Sequence, residues 1–211
     1  MSIQKRVQAI RGLRPSCDPE SEGLDIRKLD VGGYLDIRGE TFQVGGIGKY
    51  LDVRWSNYKR RKKEYWVTEL EIFNLLTGKI AHVEWEEDDA LEMSETLLEI
   101  KLRDISCDGK AVTRSDLELM AEDEKGCLKY KAEQFHYSED ESWAAVYYRS
   151  RDDDPAPVRL YEFESNSGQC LTIEMWDDDG DHEREAFLSQ ELGLDDVVVL
   201  QASALKAGDY G

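Results

Sequence analysis

Short stretches of alternating apolar and polar residues follow one another along most of the chain after residue 30. This alternation is typical of antiparallel strands that bury one face. In the first half it predicts five strands, at Tyr34–Ile37, Thr41–Val44, Tyr50–Trp55, Tyr65–Phe73 and Ile80–Trp85. The fold class that follows is mainly β.

Turn residues separate these strands, at Arg38-Gly39-Glu40, at Gly45-Gly46-Ile47-Gly48 and at Thr77-Gly78. The second turn has the glycines that a phosphate-binding loop needs. Such a loop also requires a following helix and usually a Lys-Ser/Thr pair, whereas Tyr50–Val53 has the pattern of a strand. We therefore predict a glycine-rich hairpin turn at this position.

The second half repeats the pattern of the first. A constant shift of 90 residues places Leu70, Phe73, Gly78, Val83 and Glu84 over Leu160, Phe163, Gly168, Ile173 and Glu174. The repeat predicts two related antiparallel β-meander halves, forming small barrels or a sandwich with few short helices. The predicted units are a lead-in segment over residues 1–28, which could hold a short basic helix, a first repeat over 29–108 and a second over 109–211.

Charge changes the picture of possible partners. The chain has 46 Asp and Glu against 27 Lys and Arg, a net charge of −19. Such a surface repels nucleic acids and anionic lipids, so we expect no nucleic-acid binding and only indirect membrane association. The ten Tyr, five Trp and five Phe indicate a folded protein with an aromatic core.

The cysteines Cys17, Cys107, Cys127 and Cys170 are far apart in the sequence and contain no C-x-x-C pair. This spacing favours reduced thiols over a zinc site or a disulfide framework. The chain also has no apolar run long enough to span a membrane, and its start lacks the apolar core of a signal peptide. We therefore expect a cytoplasmic location.

A family resemblance rests on several motifs, namely Gly33-Tyr34-Leu35-Asp36-Ile37, Phe42-Gln43-Val44, Val67-Thr68-Glu69-Leu70-Glu71, Thr77-Gly78 and Val83-Glu84-Trp85. Together with a similar later run, which includes Tyr161-Glu162-Phe163 and Ile173-Glu174-Met175-Trp176, they resemble a bacterial family of unknown function. The resemblance implies a genomic neighbourhood of phage-shock-protein-A-like and polyamine-synthase-like proteins. It implies no catalytic residues.

Three pairs of glutamates are spaced two residues apart, Glu69 with Glu71, Glu84 with Glu86 and Glu162 with Glu164. On a strand, each pair projects from one face. The favoured interpretation places these glutamates in solvent, opposite an apolar face. The alternative is a β-barrel with the glutamates inside, serving a divalent-cation-dependent enzyme or a small-ligand carrier. Triphosphatase chemistry in such a barrel would also need inward Lys and Arg, which these strands lack.

The acidic run from Asp177 to Asp181 is a candidate calcium loop. It does not fit an EF-hand loop, which has its invariant glycine at position 6 and oxygen ligands at positions 1 and 12. With Gly180 at position 6, these two positions are Met175 and Ala186, whose side chains cannot bind calcium. Asp177, Asp179 and Asp181 stay as a weak alternative metal site. None of His82, His136 and His182 lies in a recognised catalytic motif, so we predict no catalytic residue, no enzyme activity and no cofactor.

Five consecutive cations stand out in this acidic chain: Lys59, Arg60, Arg61, Lys62 and Lys63, called the basic segment below. They lie between two predicted strands, in a loop exposed to water. Either they dock a protein partner, or they are solvated cations that offset nearby carboxylates. They could also meet the acidic segments of a second copy, giving a salt-sensitive homo-oligomer. The leading hypothesis is a non-enzymatic accessory module that docks a protein partner.

Overall fold

Antiparallel strands make up most of the protein, as a computed structural model of residues 25–138, 142–149, 155–177 and 184–203 shows. The strands are β1 (Tyr34–Ile37), β2 (Glu40–Val53), β3 (Trp66–Asn74), β4 (Ile80–Glu87), β5 (Leu91–Glu99), β6 (Ile105–Cys107), β7 (Lys110–Ala111), β8 (Cys127–Tyr130), β9 (Glu133–Tyr137), β10 (Trp143–Arg149), β11 (Ala156–Ser165), β12 (Gln169–Trp176), β13 (Arg184–Glu191) and β14 (Val197–Gln201). One α-helix, α1 (Arg114–Asp123), and three short 3₁₀ helices complete the described elements. The prediction of a mainly β protein is confirmed.

Eight of these strands close into one antiparallel barrel, in the order β2, β3, β4, β5, β13, β12, β11, β10 and back to β2. Closure depends on the length of β2. Its first residues pair with β1, whereas the part from Gly48 to Val53 pairs with β10. Each predicted half contributes four strands to this single barrel, which decides between the small barrels and the sandwich that the sequence left open.

The remaining strands extend the sheet outside the barrel. Strand β14 pairs with β1, and a second extension runs from β11 through β9, β8 and β6 to β7. In both halves the last barrel strand is followed by a 3₁₀ helix, at Leu102–Asp104 and at Leu194–Asp196, and then by a strand that pairs with the other half. Both halves therefore end with the same order of elements, four barrel strands, a 3₁₀ helix and one strand, and they exchange these last strands.

The outer face of the barrel is covered by these extensions and carries most of the hydrophobic core. On one side, Leu70, Ile72 and Val83 pack against β1 and β14. On another, a larger cluster lies between β11–β13 and the layer of β6, β8, β9 and α1. Residues Trp55 and Tyr58 of the segment after β2 cover a third patch. The apolar face of each barrel strand is thus buried from outside, where its loss of contact with water stabilises the fold.

Helix α1 was not predicted from the sequence. It begins with a capping box between Thr113 and Asp116, and it buries Leu117 and Met120 in the larger cluster. None of the helices in the described part of the chain is long and apolar enough to span a membrane. The possible helix in the lead-in segment lies outside the described residues.

Most predicted strands and turns are confirmed, including Tyr34–Ile37, the turn with positive φ at Arg38 and Gly39, and the turn at Gly78. The turn at Gly45–Gly48 is wrong, because these residues lie inside β2, with a bulge between Val44 and Gly46. The glycines are explained by neighbouring rings. A Cβ at Gly45 would lie 1.7 Å from the ring of Phe73, and one at Gly48 would lie 2.1 Å from the hydroxyl of Tyr147.

Replacing Gly48 with alanine is therefore expected to destabilise the protein by about 1 to 3 kcal/mol, because the added methyl group overlaps the Tyr147 ring. Gly46→Ala is the matched control two residues earlier, since its Cβ would meet Glu71 at an ordinary 3.6 Å. Urea denaturation measures both. Equal losses for the two variants would contradict this explanation.

Candidate functional site

The paired glutamates of the barrel strands face the barrel interior. Four of them, Glu84 and Glu86 on β4 and Glu162 and Glu164 on β11, line one cavity. Glu69 lies directly opposite Glu84 in the ladder, on the same face. The favoured interpretation, that these acids face bulk solvent, is wrong. The apolar face of each strand is covered from outside, so closure of the barrel encloses the polar face.

The cavity has a volume of about 640 Å³ and is lined by residues from all eight barrel strands. Its carboxylates are Asp52, Glu84, Glu86, Glu92, Glu162, Glu164 and Glu191. Arg61 is the one Lys or Arg among the described residues that line it. Seven carboxylates facing one guanidinium give the cavity a strongly negative potential.

Aromatic side chains fill the barrel beside the cavity. Tyr50 packs on the rings of Trp143 and Tyr147, and Tyr147 packs edge-on against Trp176. Together with Val67 and other apolar residues they form a plug inside the barrel. The plug closes off part of the interior and leaves the cavity at the end of the barrel where β10 and β12 begin.

The acids at the floor of the cavity, with Glu84 in the lining and Glu69 and Glu174 behind it, lie close together. Burial, with the charges of Glu69 and Glu86 nearby, raises the pKa of Glu84 to about 8. Glu174 is only 4% exposed, and burial with the charges of Glu84 and Glu69 raises its pKa as well. Glu84 therefore holds a proton at neutral pH when no cation is present, and burial favours the neutral form of Glu174 in the same way.

Two tyrosine hydroxyls hold the floor carboxylates in place. The hydroxyl of Tyr50 donates to Glu174 Oε1 at 3.2 Å, and the hydroxyl of Tyr147 donates to Glu69 Oε1 at 2.6 Å. Among the described residues, none donates a hydrogen bond to the carboxyl group of Glu84. The floor thus combines fixed carboxylates with one that is free to accept a ligand.

Aromatic residues also orient carboxylates on the walls. The indole of Trp143 donates from Nε1 to Glu162 Oε1 at 3.0 Å. A hydrogen bond between Tyr65 and Glu86 contributes, after burial, to raising the pKa of the Tyr65 hydroxyl. Both rings line the cavity. Its walls therefore present carboxylate oxygens beside aromatic surface.

At the mouth, Arg61 forms an ion pair with Asp52 at 2.8 Å between Nε and Oδ2, and it also donates to the backbone oxygen of Val53. The other carboxylate oxygen of Asp52, Oδ1, is buried and accepts no hydrogen bond within the described structure. A buried acceptor that lacks a donor is costly, and a cationic ligand with N–H groups would satisfy it.

The basic segment lies in the connection between β2 and β3, and all five of its side chains are exposed. Three of them meet carboxylates of the same chain: Arg60 pairs with Glu64, Arg61 with Asp52 and Lys63 with Asp88. Within the described residues, Lys59 and Lys62 form no ion pair. The exposed loop that the sequence predicted is present, and its role in partner docking stays a prediction.

Other candidate sites receive little support. No group of three or more His, Cys, Asp or Glu in the described part of the chain is placed to hold a metal ion. Asp177 accepts a hydrogen bond from the Tyr58 hydroxyl, whereas Asp179, Asp181 and His182 lie outside the described residues. The cysteines Cys107, Cys127 and Cys170 are free thiols, and Cys17 falls outside the described ranges. Phosphate chemistry does not fit a cavity so poor in cations.

Residues 30–193 match a protein family described as a domain of unknown function, DUF4178. This match covers well over half of the chain. The chain belongs to the DUF4178 family. No curated protein and no solved structure matches it. The function of this DUF4178 protein must therefore be inferred from its own eight-stranded barrel and the acidic residues inside it.

Sequence reasoning missed part of the site of this DUF4178 protein. Glu174, at the floor, was not named as a candidate, although the shift of 90 residues aligns it with Glu84. That alignment was the signal that could have found it. Trp143 and Asp52 belong to the site only because the barrel closes, and no pattern within one strand reveals them. Arg61 was predicted as part of the basic segment, and its place at the cavity was not.

Proposed function

We propose that this protein binds a small organic cation in the barrel cavity and acts as a ligand carrier, not as an enzyme. The observation that carries the proposal is the lining of seven carboxylates and one guanidinium, with a buried Asp52 oxygen that lacks a donor. An anionic or neutral ligand would leave the negative charge of this lining uncompensated. A cation with several N–H groups would pair with them.

The size and walls of the cavity favour an organic cation over a metal ion. A volume of about 640 Å³ falls within the range of pockets for small organic molecules. The rings of Trp143 and Tyr65 line the cavity, and aromatic faces attract organic ammonium groups. A bare divalent ion would need several oxygens converging at about 2.0 to 2.6 Å.

The family context supports an amine in particular. The resemblance drawn from the sequence implies that members are encoded beside polyamine-synthase-like enzymes, and these act on organic cations. We also infer that the two halves arose by duplication, which is supported by their shared order of elements. Duplication of a meander with one inward glutamate would place Glu84 and Glu174 near each other at the floor.

Isothermal titration calorimetry with 1,4-diaminobutane tests the proposal, with magnesium chloride, calcium chloride and succinate as comparisons. We expect saturable binding of the diamine and none of succinate, which has the same carbon number and the opposite charge. Absence of amine binding at millimolar concentration would overturn the proposal. Tighter binding of either metal ion than of the diamine would replace the organic cation with a divalent one.

Arg61 is expected to compete with the ligand, because its guanidinium already neutralises Asp52 at the mouth. Arg61→Gln should therefore strengthen diamine binding about fivefold, roughly 1 kcal/mol. Lys62→Gln is the matched control, since it removes the same charge from the same exposed segment and Lys62 forms no ion pair in the described structure. Calorimetry at low salt compares the two variants. An equal gain in both would indicate a long-range charge effect and contradict competition at Asp52.

Docking of a protein partner by the basic segment remains a second candidate function. The observation that favours it is the exposure of Lys59 and Lys62, which lack ion pairs within the described residues. Reversing the charge of these two residues should abolish a salt-sensitive interaction with an acidic protein and leave diamine binding within twofold. A co-purifying partner that survives the reversal unchanged would remove this candidate.

A further inference from the structure

Two strands on opposite sides of the barrel each present a pair of carboxylates to the cavity. In the barrel order, β4 and β11 are separated by three strands in either direction, so they face each other across the interior. Strand β4 contributes Glu84 and Glu86, and β11 contributes Glu162 and Glu164. The cavity therefore has two facing pairs of acids. The two acids of each pair lie two residues apart along one strand, and this separation is called the step below.

The step within each pair has a defined length. Two residues along a strand cover about 6.5 to 7 Å. The two nitrogens of extended 1,4-diaminobutane are joined by five bonds of about 1.5 Å, which places them about 6 Å apart. A diammonium chain of this length matches the rise along the strand between the two residues of each pair. We expect a shorter chain to reach the second acid less well and a longer chain to fold.

The surface between the two steps suits a hydrocarbon chain. Val67 and the rings of Trp143 and Tyr65 line the same cavity. Methylene groups gain from contact with such apolar surface, whereas ammonium ends need oxygen acceptors. The hydrogen bond from Trp143 orients Glu162, so one of the four acids is already fixed in place.

From this arrangement we infer that the ligand is a linear diamine or polyamine with two ammonium groups about four methylene carbons apart, bound between Glu84 and Glu86 of β4 and Glu162 and Glu164 of β11. This inference rests on the proposed binding of organic cations and adds the ligand class and its binding mode. One ammonium group lies at the floor beside Glu84. The other lies at the step formed by Glu86.

A chain-length series tests the spacing. Calorimetric titrations at pH 8 compare the diamines from 1,3-diaminopropane to 1,6-diaminohexane, with butylamine as the single-charge reference. We expect the tightest binding at four or five carbons, at least tenfold tighter than butylamine. Equal affinity for every diamine would overturn the spacing and leave organic-cation binding intact. Absence of binding by all amines would overturn both.

A pair of variants locates the second ammonium group. Glu86→Gln should reduce the advantage of 1,4-diaminobutane over butylamine to about twofold, because it removes one acid of the stepped pair. Glu191→Gln is the control, since Glu191 lines the same cavity, belongs to neither pair and lies on β13, which does not pair with β4. It should lower the affinities for both amines by the same factor and so preserve their ratio. A preserved ratio in Glu86→Gln would contradict the proposed binding mode. Melting curves establish that each variant is folded.

Discussion

Replacing Glu84 with glutamine is expected to stabilise the protein without ligand at pH 8 and to change its stability little at pH 5. The pKa of Glu84 is raised from 4.5 to about 8 in the folded protein. Below the unfolded pKa the carboxyl group is protonated in both states. As the pH rises towards 8, the unfolded chain ionises first, so the folded state loses stability through this window.

The size of this effect has a clear upper limit. A pKa raised from 4.5 to about 8 corresponds to roughly 5 kcal/mol. Water in the open cavity screens the charge, so we expect a smaller loss, about 2 kcal/mol between pH 5 and pH 8. For a protein of this size that is a shift of roughly 4 to 8 °C in the melting temperature.

Thermal melts of the wild type and of Glu84→Gln, measured from pH 5 to pH 8.5, test this expectation. The many other acids of the chain also change its stability with pH. The result is therefore the difference in melting temperature between Glu84→Gln and the wild type at each pH. Glu92→Gln removes the same charge from an exposed rim residue and should follow the wild-type curve. A wild-type curve parallel to that of Glu84→Gln would show that Glu84 ionises normally.

Binding of 1,4-diaminobutane is expected to weaken by about tenfold to a hundredfold as the pH falls from 8 to 6. An ammonium ion pairs with an ionised carboxylate. Below the raised pKa of Glu84, its carboxyl group must therefore lose a proton when the ligand binds. The expected loss is about tenfold per pH unit for each proton released. The charges of Glu69 and Glu86 act on Glu84, and its neighbour Glu174 also faces Glu185 and the Tyr50 hydroxyl.

Titrations in buffers of different ionisation enthalpy measure the protons released at pH 7 directly. The wild type should release close to one proton for each diamine bound, and Glu84→Gln should release fewer and bind with a flatter pH dependence. An affinity that does not change between pH 6 and pH 8 would separate amine binding from the floor carboxylates. Amine binding itself would survive that result.

Much of the local structure could be predicted from the sequence. The alternation of apolar and polar residues located β1 and most of β3 and β4, because side chains of a strand point alternately to two faces. The turns at Gly39 and Gly78 followed from residues that adopt positive φ. The glycines of β2 misled the prediction, since the rings that require them, Phe73 and Tyr147, are close only in the folded barrel.

The sequence predicted which glutamates share a strand face, but not that this face is enclosed in the barrel. The spacing of Glu84 with Glu86 and of Glu162 with Glu164 correctly placed each pair on one face of a strand. The same spacing is compatible with bulk solvent, which is where the favoured interpretation put these residues. The partners that make them a site, such as Trp143 and Arg61, come from distant positions in the chain.

The sequence by itself determined a β-rich chain whose strands carry acidic residues on one face and apolar residues on the other. Only the tertiary structure decided which face is enclosed. Alternation gives a strand two different faces, but whether the polar one meets solvent or a cavity depends on strand order and on what covers the other side. Here β1, β14 and the layer around α1 cover the apolar face, and pairing of β2 with β10 closes the acids inside.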